Sequence, residues 1–530
     1  MGNVKKKNIV KIILIVLALL AVIAATVYLA SYKEEVPKQY ADPMRVYLII
    51  LIFVTVLLLI FYRYAVRSDE GDLPGSPDGK AAVRRELTGV VLTVIAIGLV
   101  LRLVLCVTAP QCDIDTNLFK FWGTYASDKG LFHAYEGSNI DYPPLHIYTL
   151  WFTAKISNLF KITDTAAYTM LVKLPAILSD CVIALFIYRK FMTKLSKQWV
   201  LFFLAVWMFN PLSIIDSACW GQVDSTLALF LLLGCYYMEN EKFFKASLVM
   251  ALGVLFKPQA IILIPILFYA LIRSRKVRSW LIAAATFIVT FFAISLPFNI
   301  TMGLVDITLF GKTLKLPWIF SLYLGTADHY SYTTVNSLNY WFILGKNWVA
   351  DSQEFLGLTF YKWGMIAIVI ISATIWVFYL VSKKRGSLPY IMGATLLSVV
   401  VTFGPRMHER YFFPVVVLLL AAMIKDNDKL LLGIYSGTSI FGFMTVAEIM
   451  TDLAVGSNDA YRNYYWPSVT PPRMVMAIGN VLMCLALFAY TVSYTFRHKA
   501  LEKEELKIYK EKDGTEHITE IKDAKAEVVK

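Results

Sequence analysis

Five short polar strings interrupt an otherwise apolar chain, and their residue types suit acid–base and anion chemistry. They are Cys112-Asp113-Ile114-Asp115, Asp141-Tyr142-Pro143-Pro144, Trp220-Gly221-Gln222-Val223-Asp224-Ser225, Lys257-Pro258-Gln259 and Arg406-Met407-His408-Glu409-Arg410. In an extended loop, residues two apart point the same way, so Asp113 and Asp115 can converge on a metal ion or an acceptor hydroxyl. A carboxylate bonded to a hydroxyl can serve as a general base. Of the two, Asp113 is favoured as lying nearer the membrane face. The plainer alternative is a solvated acidic loop start.

The last string places three potentially cationic groups, Arg406, His408 and Arg410, at the boundary of an apolar span. Arginine offers a planar, permanently charged fork that matches phosphate oxygens. Snorkelling to lipid headgroups is the competing role. Two prolines stiffen the Asp141 string and start a helix lying on or in the outer interface. Asp224 or Ser225 is placed to N-cap the next span. The stretch from Thr333 to Trp341 mixes amides with aromatics, which suits sugar binding and interfacial anchoring equally. Asp180 lies within a span, where an unpaired carboxylate is expensive.

The elements that position these strings are membrane spans. The chain has 530 residues, 58% hydrophobic and 17% charged, with a mean hydropathy of +0.60. Apolar runs of about 20 residues recur along nearly the whole length, as in a polytopic all-α membrane protein. The net charge of +13 does not indicate nucleic-acid binding. The Lys and Arg fall in short clusters between spans, which is the positive-inside pattern. Six cysteines show no metal-binding spacing. Cys112 and Cys219 each precede a polar string and are expected near one another, as free thiols rather than a disulfide.

Tracing the basic clusters gives about 14 spans with both termini cytoplasmic. Residues 1–86 form a two-helix extension, from an apolar run at Ile9 to Tyr28, with a cytoplasmic linker. Residues 87–496 form the main membrane domain, and 497–530 a charged cytoplasmic tail. Every polar string then falls on the extracytoplasmic side. Lys257 and the Arg406 to Arg410 cluster break the charge rule on that face, which points to an anionic ligand. No internal repeat is visible.

The ordered strings resemble the GT-C superfamily of membrane glycosyltransferases. The nearest likeness is to bacterial relatives of the eukaryotic mannosyltransferase that adds the second mannose to GPI anchors. Trp220 to Ser225, Lys257-Pro258-Gln259 and Met407 to Pro414 carry that likeness. Asp141 to Leu145 also resembles the dolichol-linked-oligosaccharide glucosyltransferases. The resemblance implies a hexose transferred from a polyprenyl-phosphate donor to a lipid, glycan or protein acceptor, outside a bacterial plasma membrane and with inversion. It implies Asp113 or Asp115 as general base, with Arg406, His408, Arg410 and Lys257 on the donor phosphate. Asp141, Tyr142, Gln222, Asp224, Gln259, Asn336, Asn339 and Glu409 are the further substrate-binding candidates. No cofactor is required; a divalent metal is compatible but not favoured. The alternative is a non-enzymatic flippase or transporter for lipid-linked sugars, which needs polar groups continuing through the spans beyond Asp180.

Overall fold

Apolar runs this long fold as helices because a helix satisfies its backbone N–H and C=O groups within the segment, where lipid offers no partner. The computed structural model describes residues 38–67, 77–193, 195–309, 312–383, 386–455 and 469–513. The apolar run at Ile9 to Tyr28, the first half of the linker, most of the last loop and the end of the tail lie outside these residues.

The chain order begins with α1 (Lys38–Arg67), α2 (Pro77–Thr108), α3 (Asp113–Lys129), α4 (Pro144–Leu159), α5 (Thr165–Phe191) and α6 (Lys197–Met208). It continues through α7 (Asp224–Glu239), α8 (Phe243–Phe256), α9 (Ile264–Ser274) and α10 (Val277–Ser295). After a hairpin come α11 (Trp318–Asp328), α12 (Phe360–Val381), α13 (Leu388–Phe403), α14 (Phe413–Asp426), α15 (Lys429–Val455) and α16 (Pro471–Asp513). Among the described residues, seven helical segments are long and apolar enough to cross a membrane, and four shorter apolar helices accompany them. The protein is thus a mostly helical, multi-pass membrane protein.

Burial separates the spans into centre and periphery. From Val200 to Trp220 the central segment is wholly buried, whereas only 11% of the apolar window in α10 and 17% of that in α12 is covered. Leu281, Val289, Val369 and Ile370 leave broad apolar faces uncovered, as a lipid-facing surface requires.

The central segment is not one regular helix. Asn210-Pro211 interrupts it, since proline supplies no amide donor. The Asn210 side chain restarts the chain by accepting the Ser213 amide at 3.1 Å. A π-helical stretch, Ile214–Trp220, follows and ends at Gly221, whose φ of 87° is left-handed. The long segment between α10 and α12 holds an unforeseen antiparallel hairpin, β1 (Leu304–Leu309) with β2 (Lys312–Pro317), paired from Leu304 opposite Pro317 to Leu309 opposite Lys312. A second pair joins Glu354–Phe355 to Leu358–Thr359.

Candidate active site

The acidic string does not form the expected extended loop. Cys112 is the extended N-cap, with φ −89° and ψ 94°, and Asp113 already opens α3. Both acids sit in the first turn, where the helix dipole favours negative charge. Residues two apart on a helix diverge by about 200°. Asp113 therefore faces solvent, while Asp115 turns toward the Trp220 string. Its Oδ2 accepts Trp220 Nε1 at 2.8 Å and Gln222 Nε2 at 2.5 Å. Asp115, and not Asp113, joins the Trp220 string, so the two carboxylates do not converge. Among the described residues, no three His, Cys, Asp or Glu groups are arranged to hold a metal ion.

Asp224 occupies the first turn of α7 but caps nothing; the cap position is Val223, without a side-chain bond. Lys257 sits at the C-terminal end of α8, where a cation complements the dipole. Its Nζ donates to Asp224 Oδ1 at 2.6 Å, both side chains being 1% exposed. Ser225 does not cap either; its hydroxyl donates to Asp180 at 2.7 Å.

Arg410 reaches the same place from the loop between α13 and α14. Its Nη1 donates to Glu409 Oε1 at 2.5 Å, and its Nε lies 3.8 Å from Asp224 Oδ2. The guanidinium lies 5.0 Å over the Trp220 ring. Trp220 therefore holds the carboxylate of Asp115 on its edge and the cation of Arg410 on its face. A cation over an indole face is favourable, more so when desolvated. Lys257 is 5.6 Å from the Tyr411 ring centre, and Gln259 hydrogen-bonds the Tyr411 side chain.

His408 is not a third cation. Burial, then Arg410 and Lys257, hold its imidazole well below the usual histidine range. The neutral ring packs edge-on to Tyr330 at 4.7 Å. Burial pushes the carboxyls of Glu409 and Asp141 above the usual range. Tyr142 lines the same region, against Phe119, Trp122 and His146.

Three predicted contacts are engaged elsewhere. Arg406 adopts a left-handed backbone, φ 63°. It donates from Nε to Asp351 at 2.6 Å and from Nη1 to Asp328 at 2.5 Å. It ties the segment after α11 to the loop rather than offering its fork to phosphate. Asn339 caps the turn at Tyr340–Ile343, accepting from the Trp341 and Phe342 amides and donating to Val401 O at 3.0 Å. Asn336 Oδ1 accepts from Asn347 Nδ2 at 3.1 Å and Trp348 Nε1 at 2.8 Å. Both amides hold the loop that pairs with His408 through isolated bridges at Val335 and Asn336.

Four working residues escaped the sequence reading. Asp216 lies fully buried in the π-helical stretch, within electrostatic reach of Asp224, Lys257, Arg410 and Asp180. The signal was an acid four residues before Trp220 in an apolar run. Lys173 stitches the end of that stretch, donating to Cys219 O at 2.8 Å and Ala218 O at 3.1 Å. Arg102 is the partner of Asp180, at 2.9 Å with both side chains fully buried. Asp180 also accepts from Ser217 at 2.7 Å. His146 is buried between Phe119 and Phe256, and desolvation, with Lys257 second, lowers its pKa to about 3. Cys112 and Cys219 are free thiols, both buried.

Buried polar atoms in folded proteins nearly always find a partner. Here Asp141 Oδ1, Gln222 Oε1, Asp224 Oδ2, Gln259 Oε1, Arg410 Nε, both Asp216 oxygens and both His146 nitrogens have none. Such a concentration marks a place for ligand or water atoms. An apolar groove lies elsewhere, lined by α1, α6 and α15 residues such as Leu51, Phe202 and Tyr435, and carries none of these acids and bases. No family model matches the chain, and no curated protein matches it.

Proposed function

We propose that this chain is a membrane glycosyltransferase of GT-C type. It moves a hexose of mannose or glucose type from a polyprenyl-phosphate donor to a lipid, glycan or protein acceptor. The observation that carries the reading is Trp220, which sets a carboxylate, Asp115, and a cation, Arg410, on two sides of one ring. Transfer chemistry needs a base at the acceptor and positive charge at the leaving phosphate.

In this reading the acceptor hydroxyl gives its proton to Asp115 as its oxygen attacks the anomeric carbon from the face opposite the phosphate. The bond from that carbon to the phosphate oxygen breaks, and its electron pair leaves with the polyprenyl phosphate. The sugar inverts. Lys257 and Arg410 meet the charge that develops on the phosphate. Asp141, Tyr142, Gln222 and Gln259 present hydrogen-bonding atoms to the sugar. No step is assigned to a metal ion or cofactor. Charge alternation supports about 14 spans, with the site extracytoplasmic and both termini cytoplasmic, and the family resemblance supports a bacterial plasma membrane.

The flippase alternative draws on polar groups within the spans. Arg102 and Asp180 do add to that set, yet they are paired with each other and fully buried. That closed pairing favours a structural role for them. The test is incubation of purified protein with a panel of undecaprenyl-phosphate sugars and acceptor membranes, followed by mass analysis. One donor should lose its sugar to an acceptor. A panel left intact, or full turnover by the Asp113→Asn/Asp115→Asn double variant, overturns the reading.

A further inference from the structure

The cations expected to bind phosphate are already matched by acids. Lys257 is paired with Asp224 at 2.6 Å, and Arg410 with Glu409 at 2.5 Å. Asp115, Asp141 and Asp216 act electrostatically on one or both of these pairs. Five carboxyl groups thus surround two cations. The other titratable groups facing them are histidines and phenols. His408 and His146 are held neutral by burial, from the loop and from α4. His329, after α11, faces Asp141 and His408. Tyr142 and Tyr411 face Arg410 as neutral phenols. Behind the site, Arg102 is spent on Asp180, and Lys173 on backbone carbonyls.

We propose that these carboxylates make the phosphate site selective by charge, accepting a phosphodiester monoanion and rejecting a phosphomonoester dianion. The inference rests on Lys257 and Arg410 being the phosphate site. The sugar donor is a diester with one negative charge. Cleavage of its bond to the sugar leaves a monoester with two, while the acceptor's proton stays on Asp115. Asp224 and Glu409 can share their cations with the first species, one negative charge replacing part of a carboxylate's hold. Among the described residues around it, the second charge finds no cation outside these two pairs, only the carboxylates that already hold them. The arrangement binds the donor and expels the spent carrier, and Asp224 and Glu409 set that preference.

The test compares two soluble analogues on the purified full chain: methyl decyl phosphate, a diester, and decyl phosphate, a monoester. Binding is measured by calorimetry from about pH 5.5 to about pH 8, spanning the monoester's second ionisation near about 6. The preference for the diester should grow roughly tenfold per pH unit above that ionisation. Asp224→Asn or Glu409→Gln should reduce the preference at the upper end. Equal affinities throughout, or a monoester favoured at about pH 8, overturn the inference while leaving the phosphate site standing. A preference unchanged in both variants removes the assignment to these carboxylates. Failure of both analogues to bind at every pH overturns the phosphate site itself, and the inference with it. The wild-type comparison stands whether or not the variants fold.

Discussion

Two acids two residues apart in sequence have different fates, because the helix already begins at Asp113 and no extended loop holds them. Asp113 faces solvent, and Asp115 is held by the Trp220 and Gln222 donors. Asp115→Asn should abolish sugar transfer while donor binding persists, since a base acts in the transition state. Asp113→Asn should retain most activity. Single-turnover assays beside donor-binding titrations separate the two. Arg410→Ala should weaken donor binding by about 1.5–3 kcal/mol per charged hydrogen bond lost, and Arg410→Lys should recover only part, because the fork is gone. His146 carries a different consequence. Its folded-state pKa of about 3 lies below the unfolded value of 6.5. Between those values the unfolded chain binds the extra proton, so His146 makes stability fall as pH falls through that window. Thermal midpoints measured at about pH 7 and about pH 5 should converge in His146→Gln relative to wild type. An unchanged slope refutes the buried neutral imidazole.

At the scale of elements, the π-helical stretch aims the site, and Gly221 ends it. Its amide and that of Gln222 both return to Asp216 O at 3.0 Å, which turns the chain and delivers Gln222 to Asp115. A methyl group at Gly221 meets Lys173 carbons at 2.7 Å, and φ is already left-handed. Gly221→Ala should therefore lower stability by about 1–3 kcal/mol, read as a reduced thermal midpoint. The ion pair beneath it gives a sharper outcome. Arg102→Met leaves Asp180 buried without its cation and should destabilise by about 3–5 kcal/mol, whereas the Arg102→Met/Asp180→Leu double variant should regain most of that loss. The apolar runs were legible because their composition alone demands helices. The break at Lys257-Pro258-Gln259 was legible too, as a polar string between apolar runs. Partners were not. Asp180 announced a need for one, but Arg102 is 78 residues distant. Arg406 read as a phosphate ligand because Asp328 and Asp351 lie 78 and 55 residues away. Asn336 and Asn339 looked like sugar contacts, since an amide locking a loop has the same composition as one awaiting ligand.

For the molecule as a whole, every proposed role depends on which side of the membrane the site faces, and that follows from charge alternation alone. The structure improves the means of testing it. Five of the six cysteines are buried and Cys181 is half-buried, so native thiols contribute little background labelling. Ser225 and Asn336 are unsuitable reporters, being themselves buried. Asn139, beside the Asp141 string, and Glu354, in the segment before α12, are exposed. Glu241, in the turn between α7 and α8, is exposed as well. It belongs to the opposite side in the charge assignment, and the turn's Lys242 and the neighbouring Lys276 fit that placement. Single cysteines at Asn139 and Glu354 should react with an impermeant thiol reagent in intact cells. A cysteine at Glu241 should react only after permeabilisation. A site reading the phosphate of an exported lipid-linked sugar needs that split. Labelling of Glu241→Cys in intact cells, with Asn139→Cys protected until lysis, inverts the protein and moves the proposed chemistry to the cytoplasmic face. Labelling of both in intact cells removes an odd number of crossings between α3 and α8, and with it the alternation on which the sidedness rests.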